Sequence, residues 1–254
     1  MYGSGAAPRA RMGAMEALAR GIPAELTTFV RKTYGMLAFS LVLGAAACYA
    51  MMLLMPTREV MTRSGVVTIP AFPQWGLWLL WGGTLGFSLL GSFAKNGARS
   101  GEVSVVGLVA LVGMVLCSGA MLGPTIGIYV GLGMANVVAA AAVTTAVTFS
   151  ALTALVFLTG KDFGFLGKFL FVAGIAFFVA WMVNFFFIHS AGFQWAMAAF
   201  GAILFCGYIL FDTSSVVHHF GPNNLVIPAV IALYLDIYNL FIMLLVLLGG
   251  RRNE

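Results

Sequence analysis

Residues 201–248 read GAILFCGYILFDTSSVVHHFGPNNLVIPAVIALYLDIYNLFIMLLVLL. Two apolar runs, Phe193–Val217 and Leu225–Leu248, flank a turn made of His218, His219, Gly221, Pro222, Asn223 and Asn224, with the asparagines as N-cap candidates for the next helix. Each run is long enough to cross a bilayer as a helix. Each also carries one carboxylate, Asp212 and Asp236, which stand 24 residues apart and 12 each from Asn224. In an antiparallel helical hairpin, equal distance from the turn means equal height. At ~1.5 Å per residue, less the loop, both lie about 10–15 Å below the surface. An aspartate at such depth costs roughly 2.5–3.5 kcal/mol even on a mild insertion scale. Two of them in adjacent helices point to proton or ion handling. A neutral aspartate hydrogen-bonded to Asn239 or a tyrosine, acting as structural glue, is the alternative that spacing leaves open.

The rest of the chain has the same character. Of 254 residues, 61% are hydrophobic and only 8% charged, with mean hydropathy +1.02. A soluble domain is about 25% charged. That poverty of charge excludes a cytosolic globular enzyme, a nucleic-acid binder and a disordered chain. Five further spans complete the count: Tyr34–Met55, Trp75–Phe93, Val103–Leu122, Asn136–Leu158 and Phe165–Ile188. Their continuous apolar runs lack the alternation of a membrane barrel. The predicted fold is an all-α integral membrane protein of seven transmembrane helices. It divides into a basic tail (1–33), a transmembrane domain (34–249) and a short C-terminal tail (250–254). Gly123–Ala135, itself apolar, either lengthens a neighbouring helix or dips into the membrane, and Pro124 would kink or end the third helix.

Lysine and arginine set the orientation. With the N-terminus cytoplasmic, the inner side collects Arg9, Arg11, Arg20, Arg31, Lys32, Lys95, Arg99, Lys161 and Lys168. The outer side has Arg58, Arg63, Arg251 and Arg252, a score of nine against four that places the C-terminus outside. The first 33 residues lack the apolar core of a signal peptide and read as a basic tail, in which Met15, Leu18 and Ile22 allow a short amphipathic helix. Cys48, Cys117 and Cys206 fall in apolar runs as small buried hydrophobes, with neither disulfide nor metal-site spacing.

Helical offsets place Ala229, Ala232, Asn239 and Met243 on the face of Asp236, and Tyr208 and Ser215 beside Asp212. Such small and polar faces meet protein or water rather than lipid. Gly82/Gly86 and Gly119, Gly123, Gly127 and Gly131 recur at four-residue intervals that permit close helix contact. No lysine stands mid-span in the last helix to form a retinal Schiff base, and no phosphate-binding loop or nucleophile–base spacing appears.

FDTSS ending the sixth span and LYLDIYNLF in the seventh resemble the C-terminal signature of the Bax-inhibitor (transmembrane Bax-inhibitor-motif) family. RKTYGMLAFSLVLG and TGKDFGFLGKFLF are similar to its bacterial YccA-like branch. The resemblance runs from Arg31 to Gly249. It implies a seven-helix fold with the last helix central, in a bacterial inner membrane. It also implies that Asp212 and Asp236 match the pH-sensing aspartate pair of the family's calcium-leak members. An arginine in the second helix latches that pair in the leak-type pattern. The second span here has none, so Lys95 and Arg99, just beyond it, become the candidate latch.

The expected function is a pH-sensitive calcium (cation) leak rather than an enzyme. No cofactor is implied, Ca²⁺ is the transported ion, and Asp212, Asp236 and Asn239 form at most a weak transit site. Two carboxylates in a low-dielectric site cannot both ionise cheaply, so they should titrate in two coupled steps. The alternative is a regulatory partner or slow substrate of a membrane-anchored AAA protease, engaged through the tail and requiring no pore. The lipid bilayer is a partner in either case, and nucleic acid in neither.

Overall fold

With no water to receive a stray backbone N–H or C=O, an apolar run in a bilayer closes its hydrogen bonds internally, and a helix does so within one segment. A computed structural model describes residues 24–62, 65–93, 103–221 and 223–250. It contains seven helices long and apolar enough to cross a membrane. They are α1 (Ala24–Leu54), α2 (Gln74–Phe93), α3 (Val105–Gly131), α4 (Ala135–Thr159), α5 (Leu166–Val183), α6 (Ala191–Ser215) and α7 (Val226–Gly250). Wider π-type turns extend α5 over Asn184–Ile188 and α6 over Val216–Phe220.

Helix ends follow local chemistry. The Ser104 hydroxyl accepts the Gly107 N–H at 3.0 Å to start α3, and Ser190 accepts the Phe193 N–H at 3.3 Å to start α6. Gly160 ends α4 in the left-handed region at φ 60°, where a side chain would be strained. Asn224 also stands left-handed, at φ 51°. It shapes the turn two residues before α7 instead of occupying the cap position expected of it.

One boundary departs from the sequence reading, one that it left open is settled, and one element is new. The first helix begins at Ala24, ten residues before Tyr34, so the end of the expected tail is helical. Its first 23 residues, including the proposed amphipathic segment, lie outside the described residues. The third helix runs through Pro124 to Gly131, resolving the Gly123–Ala135 ambiguity in favour of a longer helix. The all-α expectation also missed a hairpin. Strands β1 (Thr57–Thr62) and β2 (Gly65–Pro70) pair antiparallel between α1 and α2, with Val60 opposite Val67. Threonines and valines flanking a short turn carry that signal, but the reading had weighed strands only as membrane spans.

The last helix is central. It packs against α1, α2, α3, α4 and α6. Thirteen of its residues are buried, against one, Leu170, in α5. The core it organises includes Leu37, Leu111, Met114, Val230 and Leu233. The Tyr234 and Ser118 hydroxyls pair at 2.8 Å inside it. Because Ser118 Oγ also donates to the Val115 carbonyl at 3.2 Å, it keeps a partner when the phenol is removed. Tyr234→Phe is therefore expected to cost only about 0.5–1.5 kcal/mol, read as a small drop in melting temperature in detergent.

The four-residue glycine stripe of α3 is a packing seam. A Cβ on Gly119 would meet the Gly44 carbonyl oxygen of α1, and one on Gly123 would meet Met51. Further along, Gly127 lies against Pro70 and Gly131 against the Thr68 carbonyl, so the extended end of α3 grips β2. Gly82 and Gly86 of α2 face open space instead.

Candidate functional site

Between α5, α6 and α7 lies a groove of about 580 Å³ whose walls are largely phenylalanine and leucine. Its polar groups are Tyr208 and Asp212 from α6, and Asp236 and Asn239 from α7. The two aspartate side chains face one another across the groove, close enough to interact. Two carboxyl groups hydrogen-bond to one another only when one of them carries a proton. Asp236 is 5% exposed and its Oδ2 has no hydrogen-bond partner, whereas Asp212 is half-buried. Asp236 Oδ2 is thus a buried acceptor, costly to leave unmet, that a proton shared with Asp212, a water or a cation would satisfy.

The remaining groups frame the pair. Asn239 Nδ2 donates back to the Leu235 carbonyl at 2.8 Å, fixing its amide within the groove. Tyr208 Oη donates to the Leu170 carbonyl at 2.8 Å, pinning α5 to α6, and Gly174 leaves room for that hydroxyl. Ala232 lines the groove with Asp236, as the helical offset implied, while Ala229 is buried in the core and Met243 packs on Gly201. Ser215 is buried away from the groove lining. Lys95 and Arg99, the expected latch, lie outside the described residues. Among the described residues no cluster of three His, Cys, Asp or Glu side chains is placed to hold a metal.

Two polar features beside the pair escaped the sequence reading. Thr213, next to Asp212, is fully buried, and its hydroxyl neighbours those of Tyr34 in α1 and Thr153 in α4 without closing a well-formed bond. Ser214 Oγ donates to Asp162 Oδ1 at 3.2 Å and accepts the Phe163 N–H at 2.9 Å, so the α4–α5 loop is tied to the end of α6. His218 Nδ1 lies 2.9 Å from the Ser214 carbonyl. The signal was present in FDTSS and RKTYG, where hydroxyls adjoin the acid and the basic pair. Hydroxyls weigh little beside charges in a hydropathy pattern.

Asp162 lies outside the membrane-spanning segments. The Gly164 N–H bonded to its Oδ1 holds its pKa below the usual carboxylate range, against some desolvation, with Ser214, His218 and His219 adding to the lowering. Because the folded value is depressed, the tether is intact at neutral pH. It weakens only as pH falls below the ordinary carboxylate range and through the lowered value. Asp162→Ala should release the loop, seen as faster hydrogen exchange at the Phe163 and Gly164 amides at neutral pH. Unchanged protection there would refute the tether.

Seven membrane-length helices, the last of them buried at the centre, with an acidic pair in a lateral groove, define a polytopic integral membrane protein. The family model described as "Inhibitor of apoptosis-promoting Bax1" matches residues 26–253. The chain belongs to this Bax-inhibitor family. It is 32% identical to the Escherichia coli "Modulator of FtsH protease YccA" over 182 residues, covering 72% of this chain and 78% of that protein. An uncharacterised Campylobacter jejuni protein is 31% identical over 225 residues, 87% of each chain. "Bax inhibitor 1" of Schizosaccharomyces pombe is 38% identical over 136 residues, which span 53% of this chain and 50% of the yeast protein.

Proposed function

We propose that this protein is a pH-sensitive cation leak, carrying calcium, in which Asp212 and Asp236 form the gate. The observation that carries the reading is the juxtaposed carboxyl pair in an apolar groove, with Asp236 Oδ2 buried there. With one proton shared, the pair joins α6 to α7. Loss of that proton leaves two like charges in contact, which is tolerable only if the helices shift or a cation enters. Calcium prefers six to eight oxygen ligands. Two carboxylates, Asn239, the Tyr208 hydroxyl and water make a transit site rather than a storage site.

The lysine and arginine distribution orients the N-terminus toward the cytoplasm. The name "Inner membrane protein YccA" on another E. coli relative supports the inner membrane as the location. Lys95 and Arg99 remain candidates for latching the pair from the inner surface. Calcium flux into proteoliposomes across pH 5–8, comparing wild type with Asp212→Asn and Asp236→Asn, tests the proposal.

A second reading rests on the name of the first E. coli relative: modulation of a membrane-anchored ATP-dependent protease. It needs no ion flux and would act through the N-terminal residues. Deleting residues 1–23, ahead of α1, should abolish protease coupling and spare flux if both activities coexist.

A further inference from the structure

The aspartate groove offers more than an inorganic ion can use. Its volume of about 580 Å³ is that of a small-molecule site, and its polar groups occupy only part of the wall. It is also open at the side. The α5 backbone packs on α6 but hardly touches α7 or α2. The α5 residues that line the groove, Phe171, Ile175 and Phe178, are 66%, 50% and 46% exposed. Trp81 of α2 covers Phe178. The mouth therefore lies at Phe171 and Ile175 and faces hydrocarbon.

Inside, aromatic rings lead from α5 to the acids. Phe177 meets Phe205 edge-on at 6.0 Å, and Phe205 lies 5.9 Å from Tyr208. Asp212 follows Tyr208 by one turn on the same face of α6. It lines the groove and is only half-buried, so an occupant can reach it, whereas Asp236 Oδ2 is sealed. With one proton shared, the pair carries one negative charge. Among the described residues lining the groove there is no lysine or arginine to balance it. A metal ion would engage the carboxyl end and leave the apolar walls unused. One positive charge on an apolar body uses both, and the Tyr208 ring adds its negative face beside the acid. The ammonium of a phospholipid does not qualify. Its phosphate would have to follow it about 10–15 Å below the surface, toward like charge.

We infer that the groove binds a lipophilic amine, entering from the bilayer past Phe171 and Ile175, with its ammonium donating to the Asp212 carboxylate and its apolar body lying along Phe177 and Phe205. The inference rests on the reading of the acid pair as the working groups of this groove, but it requires no ion flux.

The test is equilibrium dialysis of tritiated imipramine against the purified protein in phosphatidylcholine nanodiscs, with empty discs as the blank and calcium absent. Saturable binding at one molecule per chain is expected. Phenylbutylamine should compete about 10–100-fold better than phenylbutanol, the worth of a hydrogen bond to a charged group. The double variant Asp212→Asn/Asp236→Asn should lose saturable binding with its elution profile unchanged. Ala232→Phe, which fills the groove from a half-buried position on its α7 wall, should also block binding with both acids in place. It gives a readout even if the double variant misfolds. Absence of saturable binding, equal competition by the alcohol, undiminished binding by the folded double variant, or insensitivity to Ala232→Phe would each overturn the inference. Lost binding beside a pH-dependent calcium flux would strike this inference alone, and intact binding beside a flat flux would strike the leak reading alone.

Discussion

Calcium flux through proteoliposomes carrying Asp236→Asn is expected to lose its rise with pH between 5 and 8, and Asp212→Asn should do the same. On the leak reading, acid keeps a proton between the two carboxylates of the wild type and holds the helices together. Alkali removes it and sets two charges against each other in an apolar groove. A single proton step within this window allows a change of about tenfold per pH unit on its acid side. With asparagine at either position there is no second charge to repel, so the curve should flatten to within about twofold, well inside one such tenfold step. Absolute flux is the less direct readout, because the same oxygens meet the passing cation. Asp162→Asn serves as the control. Its tether is set below the usual carboxylate range, so it should leave the pH 5–8 profile intact. If both groove variants kept the wild-type curve, the aspartates would be structural glue and the leak reading would fall.

The largest effect on stability is expected at Gly119. A side chain there runs into the carbonyl oxygen of Gly44 and comes within 3.0 Å of Ala47 Cβ. The first of these is helix backbone, which cannot swing aside as a side-chain tip can. Gly119→Val must therefore push α1 and α3 apart along an extensive contact. The cost is at or above the ~3 kcal/mol upper end of ordinary overpacking, or roughly 6–12 °C of melting temperature for a chain of this size. Gly82→Ala, where nothing lies within 4 Å, should be neutral or slightly stabilising through helix propensity. Equal melting temperatures for the two variants would show that the seam is not a tight contact.

The comparison of these glycines shows what the sequence can and cannot convey. Four-residue spacing occurs in both α2 and α3, but only the α3 stripe meets a neighbour. Spacing defines a face, and the partner of that face is a tertiary fact. The spans were legible because backbone satisfaction in hydrocarbon leaves few choices. The start of α1 was not, because Arg31 and Lys32 look like the end of a membrane segment while a helix can continue past the surface. Asp212 and Asp236 were conspicuous as charges where charge is expensive, and their equal offset from Asn224 implied equal depth. Their rotation toward each other depends on how α6 meets α7. The hydroxyls of Tyr34, Thr153, Thr213 and Ser214 carry no such penalty in a pattern, and only folding brings them to the same end of the bundle.

The uneven burial of the helices around the aspartate groove has a mechanical consequence. Its floor is α7, locked among five helices, but its outer wall is α5, with one buried residue and a hydroxyl bond from Tyr208. Across the gap to α2, α5 is met by flat rings: Phe178 stacks on Trp81 at 6.4 Å and Phe185 meets Trp78 edge-on at 5.6 Å. Stacked rings slide over one another far more readily than interlocked aliphatic side chains part. The groove thus has one stiff side and one compliant side. A strain that pushes α6 from α7 at the carboxyl pair would meet little resistance there, because α5, tied to α6 by Tyr208, can follow by gliding along its aromatic rail.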